Sequence, residues 1–360
     1  MKKPLTRIFV LTISAMAGFF GNLTAAEIEL FAKLSLETPP GNIAITPDGR
    51  IFLSVHGFYG QPIKVVELLE NGSTRPYPSK KWAYEPTDGS VGLYGVLGIN
   101  SDSNGILWML DTSSSTHAGR LIGWNTRLEQ LHRIIYLAKP IISDHSFLND
   151  FAIDPENKAI YVADTSTQSI IVVNLLTGQA RRVMEDSKFT KAQDLDMIID
   201  GKRVEMNGQP ARLGINPITI DSKNEYLYWG AMSGTTVYRI RTDYLNDARL
   251  TDLELIGYVE KYGEKPISDG ITIDDGGNIY ITSITDDSIG AVQPDGSYQT
   301  LFQDDELSWP DGFAVGPDNY VYVTINELHR SPGLNNGQNN SREEFKVMRF
   351  KALSTAQPGR

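Results

Sequence analysis

Apolar and polar residues alternate with period two through much of the chain, and one local version of that alternation returns six times. Each copy holds an apolar-x-apolar triplet, a polar turn rich in Asp, Asn, Gly or Pro, and a second alternating apolar stretch. The copies run Asn42–Ser54, Leu97–Met109, Asn149–Val162, Asn216–Trp229, Asp269–Ile281 and Asp311–Val323. Alternation on both sides of a turn predicts a β-hairpin with one buried face. The triplets begin at Ile43, Leu97, Phe151, Ile218, Ile271 and Phe313, so successive copies lie 54, 54, 67, 53 and 42 residues apart. Repeats at such a period mean stacked or radial sheets, and a four-stranded blade takes about 40–50 residues. The chain is therefore expected to be all-β, a single six-bladed β-propeller.

Further strands follow each hairpin. In the third unit Ser169–Asn174 and Ala180–Met184 flank a Leu176–Gln179 turn; the second unit offers Arg120–Trp124 and Leu131–Tyr136. In the fifth, Ser288–Val292 and Tyr298–Phe302 surround Pro294-Asp295-Gly296, a strong turn signal. The last unit has one outer strand only, Phe345–Phe350, and the missing strand is expected from Glu27–Lys33. That pairing closes the ring and removes an exposed edge. Two insertions interrupt the spacing. Phe189–Gly214 reads as a long loop with at most one helical turn, and Ser331–Ser341 is rich in turn formers. Both are expected on the face that carries the site.

Residues 1–26 are excluded from the folded domain, which is taken as 27–360. Lys2, Lys3 and Arg7 precede an apolar run over Ile8–Phe20, and Thr24-Ala25-Ala26 supplies small residues for cleavage. This order is that of a secretory signal peptide, and the run is short for a membrane span. A secreted or periplasmic protein is expected, with no membrane insertion after cleavage. The chain has no cysteine, so packing alone stabilises it and thiolate metal sites and a cysteine nucleophile are excluded. The net charge of −11, without any cluster of Lys and Arg, argues against nucleic acid as a partner and fits a monomer that takes a small molecule.

In a propeller the first strand of each blade lines the central channel. The residues just before those strands are Asn42, Asn149-Asp150, Asn216, Asp269 and Asp311, with Gly95 in the second blade. Converging oxygens of this kind suit a hard cation, above all calcium, with Asn149, Asn216 and Asp269 as candidate ligands. Asn and Asp also cap strand ends by bonding nearby backbone, which is the competing explanation. Of five histidines, His56, His117, His145 and His329 fall in loops assigned to the same face, and His132 in an outer strand. Imidazole and axial carboxylates can move protons near neutral pH, so Asp269, His145 and Asp311 are candidate catalytic groups. Phe58 and Tyr59 between two glycines, with Trp309 and Asp150, are candidates for holding a flat ligand.

The repeats resemble the yellow and major royal jelly protein family, including bacterial members related to dopachrome tautomerases. The resemblance rests on Phe147–Asp154, Ala159–Asp164, Asn216–Asp221, Leu227–Arg239, Ser268–Thr272 and Trp309–Phe313, in that order. It implies a secreted six-bladed propeller whose channel mouth binds small molecules, some relatives acting on dopachrome or holding biogenic amines. Asn149-Asp150, Asn216 and Asp269 are also similar to calcium-dependent lactonases of the gluconolactonase type. Those enzymes usually place a glutamate where this chain has Gly41-Asn42. Two function classes stay open at this point: a tautomerase-, isomerase- or lactonase-like enzyme, and a non-catalytic binder of a small aromatic or aminated ligand. Processing is the first expectation to test. N-terminal sequencing of exported protein should begin at Glu27, and an intact Met1 would overturn the signal-peptide reading.

Overall fold

The computed structural model describes residues 27–87 and 91–359; the expected signal peptide lies outside them. Six four-stranded antiparallel sheets stand around one axis. Their innermost strands are Pro40–Ile45, Val96–Ser101, Leu148–Asp154, Ile215–Ile220, Ser268–Ile273 and Pro310–Val315. Each touches the innermost strand of the next blade, and the last touches the first.

The repeated motif builds the inner hairpin of each blade. The apolar triplets point between blades, where Ile43, Ile99, Phe151, Ile218 and Ile271 are buried. One residue in each hairpin turn adopts a positive φ: Gly49, Gly105, Lys158, Asn224, Gly277 and Asn319. The acidic residue before the turn often accepts the turn's N–H groups, as Asp274 Oδ1 does from Gly276 at 3.0 Å and Asn278 at 2.9 Å. Second strands such as Ala159–Asp164 are buried at every position, since a blade's middle is covered on both faces.

Ring closure follows the expected pairing. Ile28–Leu34 is the outermost strand of the sixth blade and runs antiparallel to Phe345–Lys351, from Ile28 opposite Phe350 to Leu34 opposite Phe345. Ala32 and Leu34 face the core, while Leu30 and Phe31 lie on the exposed side of a bulge.

One expectation about the insertions needs correction. Beyond a single turn at its start, where Lys191 N–H donates to the Ser187 carbonyl at 2.8 Å, the first insertion is not an irregular loop. It folds as two small hairpins, Ile198–Ile199 with Lys202–Arg203 and Glu205–Met206 with Gln209–Pro210. Asp200-Gly201 and Asn207-Gly208 turn them, all four residues at positive φ, which is the type I′ geometry that Asp-Gly and Asn-Gly favour. The helices lie instead at Thr242–Asn246 and Asp252–Gly257, before the outer strand of the fourth blade. Thr251 and Glu254 form a capping box that starts the second of them. Both insertions do share one face, where they line a common cavity.

Closure through the terminal strand is testable by packing. Leu34→Ala should cost about 2–5 kcal/mol, as for a buried leucine. Shortening the loop between Asn335 and Asn339, which is mostly exposed, should cost much less. Equal melting temperatures for the two variants would refute the seam.

Candidate functional site

Every innermost strand carries the same defect. The register slips between Pro40 and Ile43, Val96 and Ile99, Leu148 and Phe151, Ile215 and Ile218, Ser268 and Ile271, and Pro310 and Phe313. A bulge re-aims the side chains at its unpaired residues. Here it presents two tiers to the axis. The first is Gly41, Leu97, Asn149, Asn216, Asp269 and Asp311; the second is Asn42, Gly98, Asp150, Pro217, Gly270 and Gly312. The polar residues thus lie within the strands, and the second blade contributes Leu97 rather than Gly95. The whole first tier, with Asn42 and Asp150, floors a cavity of about 180 Å³.

Three carboxyls share that floor with unequal support. Asp269 accepts from Trp309 Nε1 at 2.8 Å and from the Asn216 amide. Lys265 is buried nearby, its ammonium held by the carbonyls of Gly234 at 2.7 Å and Pro266 at 3.1 Å. Asp311 accepts from Asn326 Nδ2 at 2.7 Å, and Asp150 from the backbone N–H of Phe151 at 2.8 Å. Loss of water raises all three above the usual carboxylate range. Asp269 is pushed up to about 6, tempered by Trp309, Asn216 and Lys265. Asp150 rises to about 7 through burial, its backbone bond opposing and the charge of Asp269 adding to the rise. Asp311 is raised well above its ordinary value by burial and by both neighbours. Burial drops Lys265 to about 7.

Trp309 is set for this bond at a backbone cost. Its φ of 50° lies in the left-handed region, which costs about 1–2 kcal/mol for a residue with a side chain. On its other side the indole stacks on His329, with centroids 6.0 Å apart. The walls are apolar: Phe58, Met197, Met206, Met232 and Leu334 surround the floor. Flexible thioethers let such walls adapt to a flat ligand. His56 also lines the cavity; its Nδ1 accepts the Phe58 N–H at 3.2 Å and burial drops the ring to about 3, so it stays neutral.

The sequence candidates separate accordingly. Asn149, Asp150, Asn216, Asp269, Asp311, Phe58 and Trp309 all meet at the cavity. His145 does not: it sits exposed on the turn before the third blade. Tyr59 turns the other way, donating to the Asn326 carbonyl at 2.5 Å and packing edge-on against Phe345, so it supports the wall from behind. His117 stacks on Tyr94 in the second blade, away from the floor. Lys265, Asn326 and the three methionines were not singled out by the sequence. Nothing in their spacing marks them, because only the folded ring brings them to the axis.

The comparisons with known proteins agree with this architecture. Residues 94–357 match the model of the family described as Major royal jelly protein. The chain belongs to that family. Among solved structures, this royal jelly-type propeller is similar to virginiamycin B lyase from Staphylococcus aureus, with 13% identity, 91% of this chain and 100% of that one covered, and a TM-score of 0.53. It is similar to the calcium-binding protein regucalcin from Agrobacterium tumefaciens at 14% identity, 92% and 98% coverage and a TM-score of 0.54. A gluconolactonase from Xanthomonas campestris has 12% identity, 91% and 89% coverage and a TM-score of 0.53. At these identities the likeness concerns the fold alone. No curated protein matches the sequence.

The calcium expectation can be weighed on the donors of this family member. Asn216 Oδ1 is buried without a partner, the one feature a cation would relieve. Against it, both Asp269 oxygens already accept N–H groups, and Gly41 has no ligating side chain. A Cβ at Gly41 would meet Ser54 Oγ at 2.8 Å. Among the described residues no three His, Cys, Asp or Glu converge as metal ligands. The donor set does not fit calcium.

The buried carboxyls predict a pH-dependent cost. With Asp150 at about 7 in the folded royal jelly-type propeller and about 3.9 unfolded, the folded state holds the extra proton between those values. Stability therefore falls as pH rises through that window, the reverse of a salt-bridged aspartate. Asp150→Asn should stabilise the protein at pH 8 by roughly 1–3 kcal/mol and leave it unchanged at pH 3. Melting curves at the two pH values check this; an equal shift at both would refute it.

Proposed function

We propose that this member of the major royal jelly protein family is a small-molecule enzyme that moves protons at its channel mouth, in the manner of a tautomerase or isomerase. The observation that carries the reading is the unequal support of adjacent carboxyls. Asp269, which accepts two N–H groups and has a buried lysine nearby, is the carboxyl that ionises more readily, and Asp150, which its charge pushes further up, is the one that keeps its proton longer. Two titratable groups pushed apart in one dry pocket are how acid and base roles are assigned. Asp269 would take a proton from carbon next to a carbonyl, and Asp150 would give one to the other end of the conjugated system. One proton leaves and one arrives, so the product is an isomer. Asp311, pushed well above the usual carboxylate range by burial and by the charges of Asp269 and Asp150, would donate a hydrogen bond to the substrate oxygen.

The apolar walls and Phe58 favour a flat body, and the acidic floor favours a neutral or cationic ligand over an anion. Catechol-derived quinones fit both, as the family resemblance implies. A second reading has support from the same floor: a protein that holds an aminated aromatic ligand without turning it over, its ammonium facing Asp269 or Asp311. The calcium-dependent lactonase reading has support only from the fold of the gluconolactonase and regucalcin structures. We further take the protein to be an exported monomer with no nucleic-acid or membrane partner. Among the described residues no helix is long and apolar enough to cross a membrane.

A panel of quinones, lactones and biogenic amines, assayed for both turnover and thermal shift, separates these readings. Asp269→Asn should lower turnover by about a hundredfold or more with the fold intact. The rate should pass through a maximum with pH, rising as Asp269 ionises and falling as Asp150 does. Thermal shifts by amines without turnover of any compound would favour the binder and reject the enzyme.

A further inference from the structure

The wall of the inner cavity is compliant in one part and stiff in another. Met197, Met206 and Leu213 come from the first insertion, and the thioethers among them adjust to what they touch. Phe58 stands on a short turn, Gly57–Tyr59, whose backbone is held from two directions. The Phe58 N–H donates to His56 Nδ1 at 3.2 Å, and its carbonyl accepts from the Gly333 N–H at 3.1 Å. One residue on, the Tyr59 hydroxyl donates to the Asn326 carbonyl at 2.5 Å and lies 3.2 Å from Ser341 Oγ. The first blade and the second insertion thus fix this part of the wall together.

Gly333 sets where the Phe58 ring can stand. It does not line the inner cavity; it lies behind Phe58, against the second cavity between the insertions. A Cβ there would lie 2.7 Å from both Cβ and Cγ of Phe58, and 3.1 Å from Cδ2. Carbon atoms in good contact are about 3.5–4.0 Å apart, so the two side chains cannot share this space. Gly333 takes no positive φ, so room rather than backbone conformation calls for glycine. The loop around it is braced by its own turns. The Leu334 N–H donates to the Ser331 carbonyl at 3.1 Å, and the Gly337 N–H to the Pro332 carbonyl at 2.9 Å. A side chain at 333 would therefore push Phe58 forward, into the cavity.

We propose that Gly333 is a specificity-determining residue of the inner cavity: by leaving the space behind Phe58 free, it sets how large a flat body the cavity accepts. The proposal rests on the reading of the inner cavity as the small-molecule site, and calorimetry with phenol and 2-naphthol separates the two. The unaltered protein should bind 2-naphthol about tenfold more tightly than phenol, through the added apolar area. Gly333→Ala should reduce that advantage to about twofold or less. Because Gly333 is exposed, the variant should still fold, as a cooperative melting transition would show. Phe58→Ala removes the ring that the new methyl group pushes. Adding Gly333→Ala to Phe58→Ala should therefore leave the ratio of the two affinities unchanged, whereas a general loosening of the loop would lower it in both backgrounds. An unmoved ratio in Gly333→Ala, an equal fall in the Phe58→Ala background, or loss of the folded state overturns the role of Gly333 and leaves the cavity reading intact. Equal binding of the two probes to the unaltered protein also overturns it. Binding of neither probe rejects the inner-cavity reading, and the proposal with it.

Discussion

Crowding at the axis is the constraint on which the rest of this structure depends. Six inner strands must converge without colliding, and the second bulge position shows how close they come. A Cβ at Gly270 would lie 2.1 Å from the Asp311 carbonyl oxygen, and one at Gly312 would lie 2.1 Å from Asn42 Oδ1. At Gly98 it would lie 2.6 Å from the Asn149 carbonyl. Three blades therefore give up a side chain so that the next blade's polar residue can approach. Hydroxyls of the second strands tie these bulges down: Thr282 accepts from Gly270 N–H at 2.7 Å, and Thr324 donates to the Gly41 carbonyl at 2.6 Å.

The same crowding brings the carboxyls together and dries them. Asp269 has two N–H donors and a buried lysine nearby, while Asp150 and Asp311 have no such cation and feel the charge of Asp269 instead. A ring of identical residues would titrate as one group. The unequal blades break that symmetry, so the floor can hold a base and an acid side by side. The arrangement stabilises nothing in itself near neutral pH. A strained tryptophan and costly carboxyls at one place are what a working site leaves in a fold.

The fold was largely legible because blade geometry repeats and repetition can be counted. Hairpins, outer strands and the pairing of Ile28–Leu34 with Phe345–Lys351 follow from period-two patterns alone. The polar floor was legible for the same reason: Asn149, Asn216, Asp269 and Asp311 recur at one place in the repeat. The bulge that aims them was not, since period two does not show where pairing slips. His145 was misplaced because a loop's position in sequence does not say which way it leans. The hairpins at Asp200-Gly201 and Asn207-Gly208 carried a readable turn signal inside a segment with no period. Lys265 and Asn326 come to the floor only through long-range packing, which no local pattern encodes.

The seam in the sixth blade has a consequence for the growing chain. Glu29 and Arg349, partners across that seam, are 320 residues apart. At synthesis rates of about 5–20 residues per second, the first strand waits roughly 15–60 seconds for its neighbour. Through that interval Leu30, Phe31, Ala32 and Leu34 form an orphan apolar edge, and no cysteine can hold a partly wound ring. Glu27, Glu29 and Lys33 punctuate the segment with charge, as gatekeepers do beside an unavoidable sticky strand. The youngest molecules, rather than the mature ring, are thus where aggregation threatens and where a chaperone would find its substrate.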